Sequence, residues 1–110
     1  MIFTVSVKSH NLISFMRLIG YKPVASTMRG EINCMRSLGG DYPRFHAYVK
    51  EGENGFTFNL HLDQKKPSYE GNHAHSGEYE GENVNAERAR IESKARAAGD
   101  EEEEEEKSSR

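Results

Sequence analysis

Four of the five histidines in this 110-residue chain, His46, His61, His73 and His75, fall between residues 43 and 79, and only His10 lies outside. Imidazole is the side chain best suited to proton transfer and metal ligation near neutral pH. Asp63 and Glu78 add carboxylates to the same stretch. His61, Asp63, His73, His75 and Glu78 together supply enough nitrogen and oxygen ligands for zinc or a similar divalent ion. An H-x-H pair on a loop can converge on a metal but need not, and neither C-x-x-C nor H-E-x-x-H occurs in the chain. A polar loop with solvated histidines has the same composition.

A second chemistry uses no cofactor. His46 and His61 flank Arg44, Tyr48 and Asn59 on adjacent segments. Two imidazoles and a cation can serve as general acid, general base and phosphate stabiliser in RNA cleavage. An exposed antiparallel face carries polar residues in any case. Such a face is ordinarily Lys, Glu and Thr, whereas this one reads Arg, His, Tyr, Asn, His and Asp. Arg44, Tyr48, Lys50, Asn59, Lys65 and Lys66 form the corresponding nucleic-acid set, with cations for phosphates and a ring for stacking a base.

These residues must be positioned by strands. Residues 44–50 alternate, with Phe45, Ala47 and Val49 on one face and Arg44, His46, Tyr48 and Lys50 on the other. Residues 56–63 do the same, with Phe56, Phe58, Leu60 and Leu62 against Thr57, Asn59, His61 and Asp63. Glu51-Gly-Glu-Asn-Gly55 between them is a turn sequence, so the two runs form an antiparallel hairpin. The apolar sets must share a face. Pairing Val49 with Phe56 achieves this, sets His46 opposite Asn59 and Arg44 opposite His61, and leaves Asp63 diagonal to Arg44.

Upstream, Phe3, Val5 and Val7 alternate with Thr4, Ser6 and Lys8 as a half-buried strand. Ser9 or Asn11 caps a helix whose apolar positions are Leu12, Phe15, Met16 and Ile19. Gly20 is its natural exit, and Lys22-Pro23 ends the segment. Residues 31–38 read as a further strand with imperfect alternation. Residues 64–83 read as a long loop, a kind that is functional or disordered in small domains. Asn85 caps a second helix over 86–98, with a thin stripe of Val84, Ile91, Ala95 and Ala98 and closure at Gly99. Residues 100–110, six consecutive glutamates among them, are expected to be disordered.

The length allows one domain, residues 1–99, followed by the acidic tail. Nine bases against five acids give residues 1–69 a formal +4, while seven acids against two bases give residues 100–110 a formal −5, within a net charge of −3. A mildly basic body with an acidic tail suits RNA or DNA as partner, with the tail as an internal competitor or a solubilising extension. The lone Cys34 excludes an internal disulfide and fits a reducing compartment, most simply the cytoplasm. No apolar run approaches the roughly 20 residues of a spanning helix, and the N-terminus does not read as a signal peptide.

Two resemblances add to this reading. With the first strand left out, the order helix, three strands, helix is similar to the double-stranded-RNA-binding-domain topology, shared by HicA-type toxin ribonucleases. The Phe15-Met-Arg-Leu-Ile-Gly-Tyr21 segment looks like their first helix and its glycine exit, and Arg44-Phe-His-Ala-Tyr48 stands where their strand histidine lies. That resemblance implies a catalytic role for His46. The chain departs from those toxins in lacking their Gly-Ser-His triplet and in carrying the loop at 64–83. Separately, Phe58-Asn-Leu-His-Leu-Asp-Gln-Lys-Lys-Pro-Ser-Tyr69 with Ala74-His-Ser-Gly-Glu-Tyr79 resembles a signature of small uncharacterised bacterial proteins, and brings no function with it.

The expectation is an α+β domain in β-α-β-β-β-α order. It has an antiparallel sheet of three to four strands covered on one face by one or two helices. Its function is expected to be nucleic-acid binding on the open face, extended to metal-independent ribonuclease action through His46 and His61. The alternatives are a metal-binding protein or metal-dependent enzyme, and a non-catalytic protein-interaction module.

Overall fold

The computed structural model describes residues 1–26, 29–64, 77–78 and 81–108, with the backbone alone described for 77–78 and 100–108. The elements are β1 (Ile2–Val5), α1 (Leu12–Leu18), β2 (Lys22–Ser26), β3 (Ile32–Ser37), β4 (Arg44–Gly52), β5 (Gly55–Asp63), β6 (Gly77–Glu78) and α2 (Glu82–Ser108). Five strands run antiparallel in the order β1-β5-β4-β3-β2, and the two-residue β6 pairs with the far end of β5. The class is α+β as expected, but with more strands than the three to four anticipated. Four full strands, not three, separate the helices.

The additional strand is β2, which contains the Lys22-Pro23 pair read as a terminator. Proline lacks a backbone donor and is tolerated only at a sheet edge or bulge. Here both conditions hold: β2 is an edge strand, and its pairing with β3 shifts register between Pro23 and Ala25. All five of its residues are exposed, so no hydrophobic alternation announces it.

The central hairpin forms with a tighter turn than expected. Gly52 pairs with Gly55 across a two-residue connection, which sets Val49 opposite Phe58, Ala47 opposite Leu60 and Phe45 opposite Leu62. This register lies two residues from the expected one. A shift of two preserves every face, because side chains alternate with period two. On the polar side it changes the partners: His46 faces His61, Tyr48 faces Asn59, and Arg44 faces Asp63 directly. Gly55 is required where it stands. Its φ is 131°, and a Cβ there would lie 2.1 Å from the Val5 carbonyl oxygen of β1.

The helices cover one face of the sheet. Asn11 caps α1, its Oδ1 accepting from the Ser14 amide at 2.8 Å. Phe15, Met16 and Ile19 are fully buried, as are Cys34, Ala47, Val49, Phe58 and Leu60 beneath them. Phe3 of β1 stacks on Phe58 with centroids 5.1 Å apart. Burial pushes the Cys34 thiol up to about 11, so it is an inert small hydrophobe.

Helix α2 starts at Glu82, which places Asn85 inside its first turn rather than at its cap. It buries Val84, Glu87, Ile91, Ala95 and Ala98 at helical spacing. Glu87 thus occupies a core-facing position. Its carboxylate accepts from Tyr21 Oη at 2.7 Å, from Arg36 Nε at 3.0 Å and Nη2 at 2.8 Å, and from Arg90 Nε at 2.8 Å. Arg90 Nη2 in turn donates to the Ile19 carbonyl at 2.6 Å. Burial alone would push the Glu87 carboxyl up, yet the bonds from Arg90, Arg36 and Tyr21 hold it below the usual carboxylate range. The cluster ties α2 to β3 and to the exit of α1.

Gly99 does not end α2, and the acidic run is helical in backbone through Ser108 rather than disordered. Extending a helix already anchored by a packed stripe needs no new nucleus. A mid-helix glycine costs only about 1 kcal/mol against alanine, and glutamate is a good helix former.

Candidate metal centre

The open face of the sheet gathers the polar positions of β3, β4 and β5. Cross-strand pairing puts His46 directly against His61, with ring centroids 4.8 Å apart. Asp63 lies two residues beyond His61 on the same face, and its carboxylate meets both rings. Asp63 Oδ2 is 3.4 Å from His46 Nδ1, and Oδ1 is 3.2 Å from His61 Nε2. One ligand atom from each of the three residues lies within 4.8 Å of the others. Their side chains are only 16, 12 and 22% exposed for His46, His61 and Asp63.

Two ligands of one ion with bonds of about 2.0–2.1 Å stand roughly 2.8–3.0 Å apart at octahedral angles and roughly 3.3–3.4 Å apart at tetrahedral angles. The two nitrogen–oxygen separations, 3.4 and 3.2 Å, lie near the tetrahedral value. Electrostatics point the same way. Burial pushes His46 below the usual imidazole range, against the opposing pull of Asp63. Burial does the same to His61, with His46 reinforcing it and Asp63 again opposing. Neutral imidazole is the ligating form.

Asn33 of β3 completes the arrangement. Its Oδ1 is hydrogen-bonded to His46 Nε2. Asn33 and the Asp63 carboxylate thus address the two ring nitrogens of His46 separately, Asn33 at Nε2 and Asp63 at Nδ1. A ligating histidine that donates its other ring N–H to an oxygen is the usual outer-sphere pattern of metal sites.

The surroundings are Arg44, Tyr48 and Met35. Tyr48 stacks on His46 with centroids 5.0 Å apart. Arg44 lies over the Tyr42 ring at 4.7 Å, with Nη1 donating to Met35 Sδ at 3.7 Å. Its Nε is 3.6 Å from Asp63 Oδ2, an ion pair too long for a hydrogen bond. Beyond Tyr48, a groove of about 310 Å³ is lined by Ile2, Tyr48, Lys50, Thr57 and Asn59 among others.

The structure regroups the candidates read from sequence. His61 and Asp63 of the metal set are together, but their imidazole partner is His46, which the sequence reading places in the catalytic pair. Glu78 is in β6 at the register position of Leu62, a core residue, while Asp63 is opposite Gly77. His73 and His75 lie outside the described residues. Of the nucleic-acid set, Arg44, Tyr48, Lys50 and Asn59 share the open face, and Lys65 and Lys66 lie outside the described residues. Asn33 is absent from every set read from sequence. Alternation counted outward from Cys34 puts 33, 35 and 37 on the open face, but Met35 on a polar face and Arg36 on the apolar one hide that period.

No helix among the described residues is long and apolar enough to cross a membrane. No protein-family model matches the chain, and comparison with curated proteins and with solved structures finds no match.

Proposed function

We propose that this protein binds a divalent transition-metal ion on the open face of its sheet, through His46 Nδ1, His61 Nε2 and Asp63. The observation that carries this reading is the Asp63 carboxylate, which meets both imidazoles at ligand-to-ligand distances while Asn33 occupies the far nitrogen of His46. Two imidazoles and one carboxylate suit zinc, iron(II) and their neighbours better than magnesium or calcium. Three protein ligands leave positions for water or substrate, the arrangement of working rather than purely structural sites.

The metal-free ribonuclease reading is less well supported by the same geometry. An acid and a base acting on one phosphodiester must stand on either side of it. Here the two rings touch, and Asp63 pairs with both. Protein–protein recognition is an alternative with no single observation in its favour.

Titration of the metal-stripped protein with zinc or cobalt(II) should show one equivalent bound. At a hundredfold excess over the dissociation constant, binding stabilises the fold by about 2.7 kcal/mol. His61→Ala and Asp63→Ala should each abolish that gain, and a chelator should reverse it. Equal metal stabilisation in wild type and His61→Ala, or none in wild type, would sink the reading.

A further inference from the structure

We propose that the centre takes a phosphate group as its ligand, one oxygen on the metal and another on the Arg44 guanidinium, and that the phosphate belongs to a nucleotide whose base rests against Tyr48. This rests on the metal reading above and extends it to a substrate class.

The first ground is the state of Arg44. Its Nε is buried and has no hydrogen-bond partner among the described residues. Its Nη1 donates to the Met35 thioether, and its plane rests on the Tyr42 ring. A buried donor left unpaired costs free energy, yet this guanidinium lies against Tyr42 and Met35 beside the ligand set. The guanidinium fork matches the spacing of phosphate oxygens. An oxyanion bound to the metal next to Asp63 would lie within its reach.

The second ground is charge. A divalent ion, one carboxylate and one guanidinium leave two positive charges in a half-buried place. An uncompensated charge is expensive to bury. A phosphate monoester dianion supplies two negative charges and several acceptor oxygens, and a carboxylate supplies only one charge.

The third ground is the adjoining groove. Arg44, His46, Tyr48 and Lys50 follow one another along the open face of β4, about 7 Å apart at each step. A phosphate at the Arg44–His46 end therefore places the nucleoside further along the strand, at Tyr48. There the groove of about 310 Å³ offers a ring for stacking, Lys50, and amide and hydroxyl groups from Asn59 and Thr57, with Glu31 and Glu51 also on its lining. That volume lies at the small end of ligand sites and suits one base. A free nucleotide and the phosphorylated end of a single strand present the same chemistry.

Cobalt(II) serves as probe, because its visible absorption reports metal binding and then changes when an anion joins the coordination sphere. Adenosine monophosphate should perturb the spectrum of the cobalt-loaded protein, and adenosine should not. Arg44→Gln and Arg44→Lys should still give the cobalt spectrum at saturating metal, while their affinity for adenosine monophosphate falls about tenfold or more. Tyr48→Ala should erase the preference for adenosine monophosphate over inorganic phosphate. A 5′-phosphorylated single-stranded oligonucleotide that binds more tightly than adenosine monophosphate assigns the site to strand ends, and equal or weaker binding assigns it to free nucleotides; both support the proposal. A cobalt spectrum unmoved by adenosine monophosphate, or unchanged nucleotide affinity in both Arg44 variants, overturns the proposal and leaves the metal centre standing. Absence of the cobalt spectrum itself removes the metal reading and this proposal with it.

Discussion

His46 shows how one residue's role depends on its neighbours. An unperturbed imidazole titrates near 6.5; here the ring is packed between Tyr48 and His61, bonded to Asn33, and pushed below the usual imidazole range by burial. The consequence for stability has a definite sign. Both His46 and His61 have folded-state values below the unfolded 6.5. As pH falls through about 6.5 the unfolded chain takes up protons that the folded chain still refuses. The unfolded state binds more protons in that window, so stability rises with pH there and declines on acidification. Asp63 opposes the effect from the same face, while Arg44 and the N-terminal ammonium reinforce it on His46 and His61 respectively. Metal-stripped protein should therefore lose melting temperature steadily from about pH 7.5 to about pH 5. A His46→Asn, His61→Asn double variant should flatten that slope. An unchanged slope in the variant would show that other groups carry it.

At the scale of elements, two contacts decide how the site is held. The hairpin β4–β5 is fixed from beneath by Phe58, fully buried and stacked on Phe3. Phe58→Ala should cost about 3–5 kcal/mol, read as a fall in the denaturant midpoint; an unchanged midpoint would refute the packing. Helix α2 is fixed by Glu87, whose side chain is 2% exposed among Arg36, Arg90 and Tyr21. Removing one partner of a buried ion pair leaves the others uncompensated and costs about 3–5 kcal/mol. Glu87→Ala should therefore destabilise by that order and loosen α2, seen as faster hydrogen exchange in residues 84–98. Glu87→Gln should recover some of the loss by keeping its acceptor oxygen. The Glu87 contribution is lost only as pH falls from the ordinary carboxylate range to below it, beneath the histidine window, so acid titration separates the two.

Across the whole molecule, the helix stripe that packs on the sheet ends at Ala98, and the acidic last turns extend the backbone helix beyond it. Deleting residues 100–110 changes the formal charge from −3 to +2. The melting temperature should move by no more than about a degree or two, since no described core contact is lost. Glutamates four apart repel in a helix at neutral pH. The helical signal of full-length protein over the truncated one should then grow as pH is lowered toward about 4, where carboxylates take up protons. A difference independent of pH would show that repulsion does not limit this segment. Nucleotide or single-strand affinity should rise on truncation at low salt and converge at high salt.

The sequence alone determined which residues share a face. Alternation in 44–50 and 56–63 is a local property of extended chain. The apolar floor of Phe45, Phe56 and Phe58 and the polar set of Arg44, His46, Tyr48, Asn59, His61 and Asp63 were therefore legible in the order of residues. So were α1, through Asn11 and its apolar spacing, and the overall α+β class. What the tertiary structure decided was which polar residues touch. A register slip of two leaves every face intact and is invisible to alternation, yet it replaces His46–Asn59 with His46–His61 and makes a ligand set out of two separate groups. The strand β2 was hidden because an edge strand needs no hydrophobic side. Glu87 was hidden because its burial is stable only with Tyr21, Arg36 and Arg90 around it, residues up to 66 positions away. Local periodicity fixes direction; contact depends on distant segments meeting, and that is settled only when the chain closes on itself.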